Sequence, residues 1–159
     1  MRSNLTIGRR AFLTALVASP IAVRTASAET LPGMVVTKDP NCGCCSAWVE
    51  HVRSAGFHVE VIESPELNRV KARLGVPQSL ASCHTAEVGG YVIEGHVPAD
   101  SVKRLLAEKP DARGLAVPGM PTGSPGMEVE GVEPEVFDVV LFGPSGQRAF
   151  ARYKGSRPV

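Results

Sequence analysis

The 159-residue sequence has no apolar run of the roughly 18 to 20 residues that a membrane-spanning helix needs. It has no basic excess: 17 Lys and Arg stand against 16 Asp and Glu, a formal charge of +1. A nucleic-acid footprint would require a basic stripe, so that class of partner is excluded. It also has no internal repeat, which excludes a stacked-repeat architecture. What remains is an ordinary soluble globular composition, 43% hydrophobic and 21% charged, at a one-domain length. Sixteen Gly and thirteen Pro give loops a large share of the chain.

The N-terminal stretch is an address rather than fold. Thr6-Ile7-Gly8-Arg9-Arg10-Ala11-Phe12-Leu13 places paired arginines ahead of Phe-Leu, the pattern of a twin-arginine export signal. A short apolar segment, Ala11 to Val23, follows, and Ala26-Ser27-Ala28 fits a small-residue cleavage site. The sequence therefore divides into a signal peptide, residues 1–28, and one domain, residues 29–159, with a periplasmic destination. Loss of Arg2, Arg9, Arg10 and Arg24 leaves 13 basic against 16 acidic side chains. A slightly acidic domain suits cations weakly and DNA not at all.

Export sharpens the meaning of the four cysteines. Outside the cytoplasm thiols are normally oxidised, and an even number of cysteines reads first as disulfides. Yet Cys42, Cys44 and Cys45 lie within four residues, with the fourth at Cys83. Cys44 and Cys45, being adjacent, cannot bridge without a strained ring. A Cys42–Cys45 bridge would copy a C-x-x-C redox pair. The crowding points to chemistry rather than stapling.

Along the mature chain, Met34-Val35-Val36-Thr37 predicts a first strand and Lys38-Asp39-Pro40-Asn41 a turn. Cys45, Trp48, Val49 and Val52 then recur at helical spacing, up to Gly56. Phe57 to Val61 alternates as a second strand. Ser64-Pro65-Glu66 supplies a cap, a first-turn proline and a first-turn acid for a helix whose apolar face is Leu67, Val70 and Leu74. Gly75 ends it. A third strand is predicted over Leu80 to His84 and a fourth over Tyr91 to Glu94. Pro98 opens a third helix, with Val102, Leu105 and Leu106 inward.

The stretch from Pro110 to Pro134 lacks periodicity, and such a stretch in a compact domain is functional or disordered. Val136 to Phe142 and Arg148 to Tyr153, joined by Gly143-Pro144-Ser145-Gly146, predict a closing hairpin, with a loose tail after Lys154. The fold expected is α/β: a thioredoxin-like single domain, a mixed sheet with flanking helices and a closing β-hairpin.

The cysteine loop joins a strand to a helix N-terminus, where backbone N–H groups and the helix dipole favour thiolate. Thiolate attacks disulfides and also binds metal, so acidity alone does not separate the two. Three features favour metal. Four cysteines exceed the two that thiol–disulfide exchange needs. His84 adjoins Cys83, and His96 follows the fourth strand. Met120 and Met127 stand in a Pro/Gly-rich loop, and thioether suits Cu(I) far better than zinc.

Asn41-Cys42-Gly43-Cys44-Cys45, Ser82-Cys83-His84-Thr85-Ala86, Tyr91-Val92-Ile93-Glu94-Gly95-His96-Val97-Pro98, Gly114-Leu115-Ala116-Val117-Pro118-Gly119-Met120-Pro121 and Gly123-Ser124-Pro125-Gly126-Met127-Glu128 follow one another in this order. Together they resemble the CopG-type copper-resistance family, from about Val35 to Tyr153. The resemblance implies a periplasmic copper-binding protein with a thioredoxin-like fold. It leaves storage, transfer and redox conversion open.

The ligand set expected is Cys42, Cys44, Cys45 and Cys83, completed by His96, Met127, Met120 and His84. These donors exceed what one Cu(I) needs, so bridging thiolates leave room for either one copper or more than one, and imidazole extends the range to Cu(II). The alternative for His96 is a hydrogen-bonded support, and for the methionines loop packing. His84 would face away from Cys83 if both lay in a regular strand. His51, about two helical turns from Cys44, and His58, outward on its strand, are expected to be structural. Glu94 is expected to be solvated, the alternative being that it tunes an imidazole. Copper ions and other periplasmic copper-handling or efflux proteins are the partners expected. Two rivals remain: a thiol–disulfide oxidoreductase using Cys42 and Cys45, and a structural zinc module.

Overall fold

The computed structural model describes residues 30–159. The export signal expected over residues 1–28 lies outside them. No helix among the described residues is long and apolar enough to cross a membrane.

Strand β1 (Met34–Lys38) forms because β-branched residues fill a fully flanked position. It pairs parallel with β2 (Val59–Glu63) and antiparallel with β3 (His84–Val88), setting Val36 opposite Val61 and Ala86. Between β1 and β2 runs helix α1 (Gly43–Ser54), which buries Cys45, Trp48, Val49 and Val52, the face its spacing predicts. Trp48 satisfies its indole N–H on the Val97 carbonyl at 2.9 Å.

Helix α2 (Leu67–Leu74) starts later than the Ser64-Pro65 signal suggests. Ser64 Oγ accepts the Glu66 N–H in a local turn, and Glu66 takes the capping position without a side-chain cap. Its most buried residues are Lys71 and Leu74, so a lysine shares the inward face.

Strand β3 corrects a second boundary. The chain from Gln78 to Leu80 is a short 3-10 turn, and the strand begins only at His84. Strand β4 (Tyr91–Glu94) pairs back on it, and α3 (Ala99–Glu108) buries Ala99, Ser101, Val102 and Leu105, with Leu106 half-buried.

A three-residue strand, β5 (Gly114–Ala116), lies within the stretch that shows no periodicity. It bridges β4, in parallel, to β6 (Val136–Gly143), antiparallel. The predicted hairpin closes with β7 (Gly146–Lys154) and carries one irregularity at Val139/Val140. The tail is not loose: β8 (Arg157–Pro158) pairs with the end of β7. The eight strands form one mixed sheet in the order β2-β1-β3-β4-β5-β6-β7-β8.

The main core joins Met34, Val36, Trp48, Val52, Ile93, Val102 and Leu105 to Leu115, Val139 and Tyr153 of the C-terminal half. The α1 N-terminus, the approach to β3 and the exit of β4 therefore meet at one end of the sheet.

Candidate metal centre

Cys42 caps α1, so Cys42, Cys44 and Cys45 span its first turn. Cys83 reaches them from the approach to β3. The four sulfurs all lie within 4.8 Å of one another. Cys42 and Cys45 are joined in a disulfide, with Cα atoms 5.4 Å apart, while Cys44 and Cys83 are free. Cys44 Sγ stands 3.5 Å from Cys42 Sγ. In this state two of the four expected donors are paired with each other.

A second group shares Cys83. Its sulfur lies 3.0 Å from His96 Nε2 and 3.3 Å from His84 Nδ1. These ligand atoms also fall within 4.8 Å of one another. The objection to His84 disappears because Cys83 sits before the strand: strand alternation does not govern the pair, and both face the same point.

His96 Nδ1 donates to the Pro125 carbonyl at 2.8 Å. That bond leaves Nε2 with the lone pair directed at Cys83, the arrangement usual for an imidazole that binds metal. His84 is fully buried between Trp48 (ring centroids 4.4 Å apart) and His96 (5.1 Å). Among the described residues its Nε2 has no hydrogen-bond partner.

Burial holds His96 below the ordinary imidazole range. It holds His84 well below, with the neighbouring His96 and Lys71 adding to the effect. Both imidazoles are therefore neutral, the form that donates a lone pair. Burial pushes the Cys83 thiol up to about 11, and the adjacent Cys44 adds to it. A metal taking this sulfur must displace its proton. Thiolates with neutral imidazoles form a donor set that fits copper.

The aperiodic loop is ordered over this corner. Gly119 O accepts from Ser82 Oγ, and Met127 N–H donates to Ser124 O while Gly123 N–H donates to Met127 O. Gly126 (φ +85) rests on α1 so closely that a Cβ would lie 2.9 Å from the Cys44 carbonyl and 2.7 Å from Trp48 N. Met127, half-buried, follows this contact. Met120 is 53% exposed and lines a groove with Pro118, Pro121, Glu135, Val136 and Phe137. The structure thus gathers the four cysteines, His84 and His96, and leaves the methionines on the covering loop.

His58 is exposed, as expected. His51 is structural: its Nε2 accepts the Ala99 N–H at 3.1 Å, capping α3 where Pro98 offers no side-chain cap. Burial lowers its pKa, opposed by Glu128 and Asp100.

A buried base with a lowered pKa binds protons better in the unfolded chain, so protonation favours unfolding. The metal-free protein should keep full stability above the ordinary imidazole value of 6.5 and lose it progressively as pH falls from there through the lowered value of the folded state. His84 and His96 act in the same direction. Denaturant melts from about pH 7.5 to about pH 5 should show a slope of up to ~1.4 kcal/mol per pH unit per proton taken up. Replacement His51→Gln should flatten part of that slope; an unchanged slope would remove His51 from the account.

Sequence reasoning misses Lys71 and Glu94. Glu94, expected in solvent, is fully buried, and its carboxylate accepts from Lys71 Nζ, Ser82 N–H and Thr85 Oγ1. A signal is present: Lys71 falls on the same helical face as Leu67, Val70 and Leu74.

Two solved structures resemble the chain. One is named "Copper resistance protein copG- Form 1": 43% identity, TM-score 0.73, covering 79% of this chain and 99% of that one. The other, "Copper resistance protein copG- Form 2", matches at 43% identity and TM-score 0.73 over 77% of this chain and 98% of that one. A family described as "Protein of unknown function, DUF411" matches residues 80–127, the segment from Leu80 to the covering loop. No curated protein matches.

Proposed function

Because the chain belongs to the CopG copper-resistance family, we propose that it binds copper in the periplasm and supports copper tolerance. The observation that carries this reading is the convergence of four sulfurs and two neutral imidazoles at one corner. With Cys42 and Cys45 reduced, four thiolates would hold Cu(I), and their number allows bridging between more than one ion. His84 and His96 suit Cu(II) as well as Cu(I), which supports a redox-cycling role. Met127 and Met120 complete the donor set from the covering loop. We read the core as thioredoxin-like, since β1 leads through α1 to its parallel neighbour β2 and β3 flanks β1 antiparallel. The twin-arginine pattern at Arg9-Arg10 supports export, with cleavage near Ala28 and delivery to other periplasmic copper-handling or efflux proteins.

Protein recovered from the periplasm after copper exposure should carry copper by elemental analysis, and Cys44→Ser should lose most of it. A variant that binds copper as tightly as the parent would defeat the assignment. Saturation at one equivalent would remove the multinuclear form.

The disulfide favours a second reading, thiol–disulfide exchange. Cys45 is fully buried and Cys42 half-buried, so Cys42 is the sulfur a partner thiol reaches. That activity would proceed on a model disulfide in metal-free protein, where the copper reading predicts none.

A further inference from the structure

The buried pair beneath the site is costly. Removing a lysine and a glutamate from water costs several kcal/mol per ion, and apolar side chains of similar size often serve stability equally well. Lys71 Nζ nevertheless meets Glu94 Oε1 at 2.5 Å and Thr85 Oγ1 at 2.9 Å, both charged groups lying almost wholly out of solvent. The third hydrogen bond explains what the pair does locally. Glu94 Oε1 also accepts the Ser82 N–H at 2.6 Å, one residue before Cys83.

The adjoining backbone completes the grip. Gly95 N–H donates to the His84 carbonyl at 3.0 Å, and Val117 N–H to the Glu94 carbonyl at 3.0 Å. Glu94 and Gly95 thus hold the Ser82–His84 segment on both sides of Cys83. The approach is close: at Gly95 (φ +70) a Cβ would lie 2.6 Å from both Ser82 Cβ and the Val117 carbonyl. This hold keeps Cys83 out of the regular strand. A continued strand would turn its sulfur away from His84.

We propose that the Lys71–Glu94 pair is a positioning device for the metal centre. Through the Ser82 N–H it fixes the turn that brings Cys83 Sγ to His84, His96 and the cysteines of α1. The proposal rests on the copper reading above and adds the residues that set its geometry. Lys71 holds the carboxylate in place; the carboxylate holds Ser82; Ser82 places Cys83.

The test separates this hold from general stability. Ser82→Pro deletes the N–H together with the hydroxyl that donates to Gly119 O, and Ala81 already has the extended backbone (φ −62, ψ 141) that a following proline demands. Ser82→Ala keeps the N–H and loses only the hydroxyl. A second pair of variants acts from the other side. Lys71→Met with Glu94→Leu removes both charges and the acceptor. Lys71→Met with Glu94→Gln removes the charges but restores a carbonyl for Ser82 and an amide for Thr85.

Each reduced protein is titrated anaerobically with Cu(I) against a chromophoric chelator. The copper-loaded form is then alkylated, and modification at each cysteine is read by mass spectrometry. Ser82→Pro and the Leu double variant should bind Cu(I) about 10- to 100-fold more weakly, the usual effect of losing a ligand's support. They should be alkylated at Cys83 while Cys42, Cys44 and Cys45 stay protected. Ser82→Ala and the Gln double variant should match the parent. Should one variant of a pair fail to fold, the other decides.

Folded variants lacking the Ser82–Glu94 bond but with Cys83 protected as in the parent would overturn the proposal and leave the copper reading intact. A parent whose cysteines copper does not protect would overturn both.

Discussion

Cys83→Ser is expected to lower Cu(I) affinity more than any other single substitution in the chain. Its sulfur is the one atom shared by the two donor groups, within 4.8 Å of the α1 sulfurs and of both imidazole nitrogens. Removing Cys44 leaves the sulfur–imidazole group whole; removing Cys83 breaks both. Serine nearly preserves the volume of a half-buried side chain but offers a hard oxygen where a soft ion needs sulfur. The loss should exceed the ~10- to 100-fold that follows from disturbing a supporting partner.

Acidity adds a signature. The parent's thiol, pushed up to about 11 by burial and then by Cys44, gives up a proton when metal binds. Parent affinity should therefore fall as pH is lowered, and Cys83→Ser should reduce the number of protons released by one. Chelator competition at several pH values measures both. A variant within about tenfold of the parent would show that Cys83 is not a donor.

How much of this site the sequence discloses depends on the physical signal each residue carries. The α1 face, Cys45, Trp48, Val49 and Val52, is legible because four apolar positions at helical spacing are a strong local pattern. The hairpin over Val136 to Tyr153 is legible from the Gly143-Pro144-Ser145-Gly146 turn that joins two apolar-rich runs. Strand β5 is not legible, since Gly114-Leu115-Ala116 is too short for a period and owes its conformation to β4 and β6 on either side.

The start of β3 is misplaced by sequence pattern because Leu80, buried, looks like a strand residue while sitting in a 3-10 turn. That error has a chemical consequence. It sets His84 against Cys83, when the irregular approach lets both face one point. The Lys71–Glu94 pair is half legible: Lys71 shares the apolar face of α2, but nothing in the sequence joins it to Glu94, 23 residues away. The covering loop reads from sequence as functional or disordered; its order comes from tight turns and from Gly126 against α1, which no periodicity announces.

Reduction of the Cys42–Cys45 disulfide should change copper capacity more than any other treatment of the unmodified chain. A disulfide sulfur is not a thiolate and is a poor ligand, so the bridged state offers Cys44, Cys83 and two imidazoles. Two electrons and two protons convert the bridge into two thiols and restore all four sulfurs to the same corner. The route is asymmetric. An incoming thiolate reaches half-buried Cys42, forms a mixed disulfide there and releases buried Cys45; a second thiolate then frees Cys42.

Anaerobic Cu(I) titration of the bridged and the phosphine-reduced protein, each verified by alkylation and mass, should separate the two. The reduced form should bind at least ~100-fold more tightly, above the effect of an outer partner, and take up more copper. The double variant Cys42→Ser/Cys45→Ser should behave like the bridged form under both conditions. Identical titrations before and after reduction would mean that Cys42 and Cys45 hold no metal. Cys42 and Cys45 would then belong to thiol–disulfide exchange, and copper to Cys44, Cys83, His84 and His96. In an oxidising compartment that outcome would also free copper loading from any need for a reductant, whereas four-thiolate binding makes electron supply a condition of it.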